Sequence, residues 1–499
     1  MLFNSYEFLF VFLPVTLIVF FLLGKRIGPE AAMLWLVAAS LGFYGWWNPV
    51  YLWLIVFSMF FNYWAGLVLR GRVQRKAMLV IGIAANLGLL GYFKYANFFV
   101  DTVNDLAGTS YNLQNIVLPL AISFFTFQQI AYLVDAYQRK TEEHNFRHYA
   151  LFVVFFPQLI AGPIVHHGEM MRQFARPDTF RLHSRNLELG LTILSLGLFK
   201  KVMLADSIAQ YSTPVFQAVS SGSIITVYDA WVGALGYTFQ LYFDFSAYSD
   251  MAIGTALMFG IRLPVNFNSP YKAVNIVDFW RRWHMTLSRF LRDYVYISLG
   301  GNRKGRARRY INLMVTMLLG GLWHGAGWTF VLWGGLHGGY LIINHAWHRV
   351  RRLLGQDVET STLTGRFLST LLTFMAVVVG WVYFRAENMD TANMILSTMF
   401  GGQHVTILGS SLFSQQMIYE AGAWIISLSV LVWLMPNVLE TVGYMENRHD
   451  WRRYRWMPDR LAGLLEFKLT IAWALFSSAL LLVAILNLTG VSEFLYFQF

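Results

Sequence analysis

The sequence predicts an all-α integral membrane protein, a multi-pass helical bundle of about 10–11 crossings plus re-entrant helices that form a funnel around a buried histidine. Composition is the first reason: of 499 residues, 56% are hydrophobic and only 13% are charged, and the mean hydropathy is +0.47. A soluble domain carries roughly 25% charged residues. So few charges cannot cover a water-facing surface, so we expect lipid to be the solvent for much of the chain.

The residues that are rare or scattered exclude several classes of function. Cysteine is absent, which excludes disulfides, thiolate metal sites and a cysteine nucleophile. The net charge of +11 would suit nucleic acid, but the basic residues cluster in short loops between apolar runs and form no separate domain. Phosphate loops, dinucleotide fingerprints and metal-ligand spacings are also missing. We therefore predict no nucleic-acid partner, no metal and no bound cofactor.

Five apolar runs open the chain, each close to the ~20 residues that a crossing helix needs. They cover residues 8–24, 31–47, 51–69, 78–93 and 117–137. Basic residues follow the first, third and fifth runs. The loops after the second and fourth runs have none, except for Lys94 at the end of the fourth run. Because basic loops stay in the cytoplasm, the pattern predicts a periplasmic N-terminus.

Residues 152–166 are too short and too irregular for a simple crossing. Pro157, Gly162 and Pro163 interrupt the run. A membrane tolerates irregular backbone only where protein buries it. We therefore expect a re-entrant segment here.

Residues 310–347 predict a second re-entrant element. The run begins beside Arg309 and ends beside Arg349, so both ends are expected on the cytoplasmic side. Its middle, residues 320–327, is rich in glycine. This pattern predicts a helical hairpin that folds back inside the membrane.

His324 lies at the middle of that hairpin. Counted from Tyr310 at about 1.5 Å per residue, it lies roughly 20 Å along the run. An ionisable group at membrane depth is costly and usually faces a cavity or a partner. The flanking glycines allow close approach of a ligand, and Trp323 would line its pocket. A neutral imidazole can take a proton from a hydroxyl, so we predict a catalytic base; the alternative is a structural histidine bonded to a neighbouring helix.

Residues 278–296 have the periodicity of one amphipathic helix. Trp280 and His284 share a face with apolar residues, which predicts that His284 faces protein rather than water. Arg281 and Arg282 lie on another face, where they would bind the phosphates of an acyl donor or of lipid headgroups. The alternative for each arginine is simple anchoring on the cytoplasmic side.

Residues 237–250 place polar side chains inside an apolar run. Gln240, Asp244 and Asp250 are candidates for binding donor or substrate. Two carboxylates in lipid need partners, and they would hold a cation, orient a histidine or pair with an arginine. Of these, structural pairing is the expected role.

Four separated motifs resemble the membrane-bound O-acyltransferase (MBOAT) family, and within it the bacterial alginate and cell-surface polysaccharide O-acetyltransferases. The likeness extends to residues 93–97 and 496–499, and so covers nearly the whole chain. It implies one domain over 1–499, with N-terminal helices (1–145), a catalytic core (146–350) and C-terminal helices (351–499). The motifs occupy residues 156–163, 240–254, 278–284 and 323–328.

The resemblance implies that His324 matches the essential histidine of the family and His284 its second polar residue. His284 would hold the donor or polarise its carbonyl. The donor would be acetyl-CoA entering from the cytoplasm, and the partners would be membrane lipid, a periplasmic acetyltransferase and polysaccharide synthesis and export machinery, at a bacterial inner membrane. The competing hypotheses are a multi-pass polysaccharide flippase or polymerase, and an interaction subunit without chemistry.

Overall fold

The computed structural model describes residues 1–71, 74–113, 116–141, 145–357, 362–402, 409–445, 466–488 and 494–495. Within these ranges the protein is helical and has no strand, which confirms the predicted all-α class. The motif at 496–499 lies outside the described residues. Five described helical stretches are long and apolar enough to cross a membrane: Glu7–Arg26, Pro49–Arg70, Arg75–Ala107, Leu363–Arg385 and Gln415–Leu434. The number of crossings beyond these five stays a prediction.

The chain divides into two compact units. Unit 1 comprises Met1–Leu198, Tyr248–Pro264 and Leu488–Phe497. Its helices are α1 (Leu13–Arg26), α2 (Pro29–Gly45), α3 (Leu52–Arg70), α4 (Arg75–Leu90), α5 (Ala96–Ala107), α6 (Ile122–Tyr137), α7 (Phe146–Val154), α8 (Phe156–Leu159), α9 (His167–Phe174) and nearly all of α10 (Ser184–Phe199).

Unit 2 comprises Phe199–Ala247, Val265–Asn487 and Gln498–Phe499. Residues 227–247 of α12 belong to it, and the rest of that helix belongs to unit 1. Its helices are α11 (Asp206–Ser220), α12 (Val227–Met258), α13 (Ile276–Trp280), α14 (Met285–Phe290), α15 (Arg306–His324), α16 (Trp328–Leu353), α17 (Leu363–Arg385), α18 (Met389–Met399), α19 (Gln415–Leu434), α20 (Val438–Thr441) and α21 (Ile471–Leu486). The predicted single domain and its division at 145 and 350 stay predictions.

The irregular segment at 152–166 lies within unit 1 and is buried, as predicted. Here α7 and α8 are separated at Phe155, and every residue from 151 to 165 is buried. Gln158 Nε2 donates to the carbonyl oxygen of Phe152 at 2.7 Å. A Cβ on Gly162 would come within 2.4 Å of the Cα of Gln158, so the turn requires glycine. Protein contacts therefore compensate the broken helical hydrogen bonds.

The two packed helices predicted for 310–347 are confirmed as α15 and α16 of unit 2, whereas their re-entry into the membrane stays a prediction. Glycines let the two backbones approach closely. A Cβ on Gly321 would come within 2.2 Å of the carbonyl oxygen of Phe330, and one on Gly334 within 2.4 Å of that of Met317. Small residues in such a seam are typical of helices that associate in membranes.

The prediction of one continuous helix over 278–296 is wrong. The segment consists of α13, a turn at 281–284, α14 and a π-helical turn over Leu291–Tyr296. The break falls at His284, whose φ of +42° and ψ of +52° lie in the left-handed region. A residue other than glycine is uncommon there, and the conformation persists only where surrounding contacts hold it.

Candidate active site

His324 is the last residue of α15 and lies at the tip of the hairpin. The chain continues through residues 325–327, in which Gly325 and Gly327 are extended, before α16 begins at Trp328. Glycine is needed at 325, because a Cβ there would come within 2.1 Å of the Phe330 ring. This short connection ends the helix directly after the histidine and keeps its ring beside the start of the next helix.

Aromatic rings surround the His324 imidazole, and the residue is only 5% exposed. The centroid distances are 5.0 Å to Trp323, 5.1 Å to Trp333 and 5.2 Å to Phe384, all with edge-to-face geometry. These rings come from α15, α16 and α17. Packing thus restricts the orientation of the ring, as a catalytic group requires.

His284 is held by polar contacts instead. Its Nδ1 lies 3.1 Å from Oδ1 of Asn266, and both residues are fully buried. Two backbone hydrogen bonds bring their segments together: Met285 N donates to Asn266 O, and Asn268 N donates to Arg282 O, each at 2.9 Å. The left-handed turn at His284 is therefore fixed by neighbours on both sides.

The contact with Asn266 determines which ring nitrogen of His284 carries the proton. The backbone N–H and the hydroxyl of Thr286 both donate to Asn266 Oδ1, at 3.4 and 2.8 Å, so that atom is the amide oxygen. Nδ1 of His284 must then carry the proton, which leaves the lone pair on Nε2. Burial lowers the pKa of His284 to about 3, so the ring is neutral at physiological pH.

The structure brings the two predicted histidines together. The centroids of the His284 and His324 rings are 6.2 Å apart, and the Trp323 ring lies 6.1 Å from that of His284. His284 also contacts Phe245 of α12 edge to face, with a centroid distance of 4.8 Å. Two buried imidazoles at this separation can act on one small group between them, one as a base and the other as a hydrogen-bond acceptor.

The three predicted residues on the α13 side differ in their surroundings. Trp280 packs on Trp333 and His337, at centroid distances of 5.8 and 5.2 Å. Arg282 is bonded within the protein, since its Nε donates to Asp278 at 2.8 Å. Arg281 is exposed. Of the two arginines, Arg281 is thus the one more accessible to a ligand phosphate.

One carboxylate of α12 is in a structural ion pair, as expected, but its partner is a lysine and not an arginine. Asp244 forms an ion pair with Lys201 at 2.7 Å, and each side chain is 2% exposed. Lys201 also pairs with Asp206 at 2.7 Å. Gln240 accepts a hydrogen bond from Ser212 at 2.7 Å, which ties α12 to α11.

Asp250 is also buried, at 5% exposure, but it belongs to unit 1, whereas the two histidines belong to unit 2. The α12 helix passes from one unit to the other at residue 247, so the predicted polar run is divided. Only residues 237–247 of that run belong to the same unit as the two histidines.

Three buried polar residues of unit 2 were not predicted. Asn266 has no local signal, because its role depends on pairing with residues distant in sequence. Lys201 does have a sequence signal. A lysine in an apolar run needs an anionic partner, and Asp244 in another apolar run is such a partner. His337 is fully buried and packs among tryptophans, with the ring centroid of Trp333 at 4.8 Å. It follows glycines of α16, as His324 follows those of α15, so the same sequence pattern could have pointed to it.

Comparisons with known proteins place the chain among acyl-transferring membrane proteins. The family model described as "MBOAT, membrane-bound O-acyltransferase family" matches residues 76–385. A relative named "Peptidoglycan O-acetyltransferase" from Helicobacter pylori is 46% identical over 436 residues, which are 82% of this chain and 81% of the relative. A "Probable alginate O-acetylase AlgI" from Pseudomonas aeruginosa is 44% identical over 412 residues, 80% of this chain and 75% of the relative. A "Teichoic acid D-alanyltransferase" from Streptococcus thermophilus is 28% identical over 288 residues, 54% of this chain and 69% of the relative.

Proposed function

Because this chain belongs to the membrane-bound O-acyltransferase family, we propose that it takes an acetyl group from a cytoplasmic thioester and passes it toward a periplasmic acceptor, for O-acetylation of an exported polysaccharide. The observation that carries the proposal is that His324, at the tip of the hairpin, has its buried ring 6.2 Å from the buried ring of His284. Relatives whose names specify alginate and peptidoglycan support a sugar hydroxyl as the final acceptor. Such an acyl transfer requires chemistry that a flippase or an interaction subunit would not need.

In the proposed reaction His324 acts as the general base. An acceptor hydroxyl attacks the thioester carbonyl, and its proton passes to the His324 imidazole as the new C–O bond forms. The C–S bond then breaks, and the leaving thiolate takes the proton back from the imidazolium. The products are an acetyl ester and a free thiol, and the histidine is regenerated.

We assign His284 an accepting role. Its Nε2 carries a lone pair, because Nδ1–H is directed at Asn266. To polarise the thioester carbonyl, His284 would need an N–H at Nε2. The lone pair at Nε2 therefore does not suit that role. This tautomer suits two other roles. Nε2 could accept a hydrogen bond from an N–H group of the acyl donor, or from the attacking hydroxyl.

Acetyl-CoA is the donor we favour, entering from the side that carries the basic residues. Exposed cations just before α15 and in its first turn offer contacts to nucleotide phosphates: Arg303, Lys304, Arg306 and Arg308. By the alternation of loop charges, this side is cytoplasmic and the N-terminus is periplasmic. The same reasoning supports a bacterial inner membrane and a periplasmic partner acetyltransferase that completes the transfer.

The test is His324→Ala, compared with His183→Ala as the control. His183 lies in unit 1 with a side chain that is 41% exposed. We expect His324→Ala to reduce acetyl transfer about 10²–10⁴-fold, the usual contribution of a general base. The measurements are thiol release from labelled acetyl-CoA in nanodiscs and O-acetyl content of the polysaccharides of a complemented deletion strain. A His324→Ala protein that inserts normally and retains full acetylation would contradict the proposal.

A further inference from the structure

A groove of about 960 Å³ lies in unit 1 beside α1, which belongs to the apolar stretch Glu7–Arg26. Its volume is within the ~300–1,000 Å³ of ordinary ligand sites. The groove lies wholly in unit 1, whereas the two histidines belong to unit 2. One wall is a single face of α1, on which side chains recur at the spacing of a helix. The residues of this wall are Pro14, Leu17, Ile18, Phe21, Leu22 and Lys25.

A second wall is the segment that joins α9 to α10. It begins with the 3₁₀ turn Pro177–Phe180. This segment approaches α1 closely, because a Cβ on Gly24 would come within 2.9 Å of the carbonyl oxygen of Phe180. Pro29 of α2 and Leu187 of α10 also line the groove. The two walls therefore meet near the C-terminal end of α1.

Apart from two cations, the lining of the groove is apolar. It is also accessible, since Ile18 is 59% exposed and Leu182 is 59% exposed. From Pro14 to Lys25 the α1 wall extends roughly 16 Å, at about 1.5 Å per residue. That length is about half of the ~30 Å hydrocarbon core of a bilayer. The groove therefore has the length of one leaflet and is suited to an acyl chain.

The two cations of the lining lie at the same end of the groove. Lys25 follows Gly24 in the last turn of α1, and Arg181 follows Phe180 directly, so both adjoin the point where the walls meet. Both residues are exposed. Within the part of the chain that the structure describes, neither side chain forms an ion pair or a hydrogen bond, and no carboxylate lines the groove.

Charge balance at that end favours an anion. The acids nearest in sequence to the two cations have other partners: Glu30 pairs with Arg147 at 2.7 Å, and Asp178 lies 3.1 Å from Nε2 of His183. Even when Asp178 is counted as fully charged, it is one carboxylate against the two cations of the groove. The described residues therefore leave this end with a net positive charge.

We propose that the groove binds one anionic phospholipid. Its phosphate contacts Lys25 and Arg181, whose planar guanidinium can bond two phosphate oxygens at once, and one of its acyl chains lies along α1. The alternation of loop charges assigns this end of α1 to the cytoplasmic leaflet. Basic pockets at that surface bind anionic headgroups for the same electrostatic reason. The site differs from the acyl-transfer site, and its test does not depend on acetyl transfer.

The experiment measures lipid retention on the detergent-purified full-length protein by native mass spectrometry. Phosphatidylglycerol and phosphatidylcholine, which differ in headgroup charge, are added separately. We expect phosphatidylglycerol to be retained about tenfold better, and the double variant Lys25→Gln/Arg181→Gln to lose that preference. The matched control is Arg26→Gln/Arg185→Gln, which removes the same charge from exposed residues nearby in sequence that do not line the groove. This control should keep the preference.

A second pair of variants tests the apolar part of the site. Ile18→Trp adds a large ring inside the groove and should abolish retention of phosphatidylglycerol. Val15→Trp adds the same ring to an exposed position of α1 outside the lining and should retain the lipid. The melting temperature in lipid-free detergent reports whether each variant is folded.

Four outcomes would overturn the proposal. Equal retention of the two lipids would show that the headgroup charge is not recognised, and an equal loss in the charge control would show a diffuse surface effect. Full retention by folded Ile18→Trp, or displacement of the lipid by glycerol phosphate, would show that no chain lies in the groove. A dimer that Ile18→Trp removes would likewise contradict it, since the groove would then hold a second copy of the chain.

Discussion

His324 and His284 are close in space but are positioned by different forces. Three aromatic rings and a glycine seam determine the place of His324, so its geometry depends on shape. A hydrogen bond to Asn266 and a left-handed backbone determine that of His284, so its geometry depends on polar partners. The two positions should therefore be sensitive to different substitutions: added volume should disturb His324, and loss of a hydrogen-bond acceptor should disturb His284.

Gly321→Ala should have the largest effect among the tests of this comparison. The added Cβ would lie 2.2 Å from the carbonyl oxygen of Phe330, so α15 and α16 must separate and displace His324, three residues away. A misplacement of about 1 Å can cost about 10²-fold in rate. Acetyl transfer in nanodiscs measures the loss.

Gly339→Ala is the matched control for the hairpin. It adds the same methyl group to α16, where a Cβ would meet nothing within 4 Å. Its activity and melting temperature should stay close to those of the wild type. If Gly321→Ala were as active as this control, shape would not determine the position of His324.

Asn266→Leu should have a smaller effect and should act on His284. The substitution removes the acceptor of His284 Nδ1–H and of Thr286 while keeping a similar volume. Leaving buried donors without an acceptor costs about 1–3 kcal/mol, which corresponds to roughly a tenfold to hundredfold fall in kcat/KM if the ring turns away. Asn266→Asp keeps the acceptor oxygen and should recover most of the activity. If Asp and Leu at this position behaved alike, the hydrogen bond would not position the histidine.

The smallest effect concerns the pH dependence of stability. Burial lowers the pKa of His284 to about 3, whereas the unfolded chain has the ordinary value of about 6.5. Between these values the unfolded state binds the additional proton, so acidification from pH 7 to pH 5 destabilises the folded protein. The melting temperature of His284→Asn should therefore fall by about 2–4 °C less than that of the wild type over this interval. An identical fall in both proteins would mean that His284 is not buried in its neutral form.

The hairpin and its histidine could be predicted from the sequence because their signals are local. Basic residues at both ends of 310–347 and glycines at its centre need no knowledge of the rest of the chain. The buried position of His284 was also predicted, although the continuous helix assumed for 278–296 was wrong. Helical spacing cannot reveal a break caused by backbone hydrogen bonds to residues 266–268. Asn266 was unpredictable for the same reason, since its contacts join segments far apart in sequence.

The left-handed backbone at His284 separates what folding favours from what the reaction needs. At φ +42° glycine and asparagine are the residues that the backbone accepts most readily, whereas alanine is strained. In a library of all substitutions at this position, glycine and asparagine should give the best-expressed proteins without giving the most active ones. Abundance and turnover would then rank the residues in different orders, and position 284 would be identified as functional by that disagreement alone.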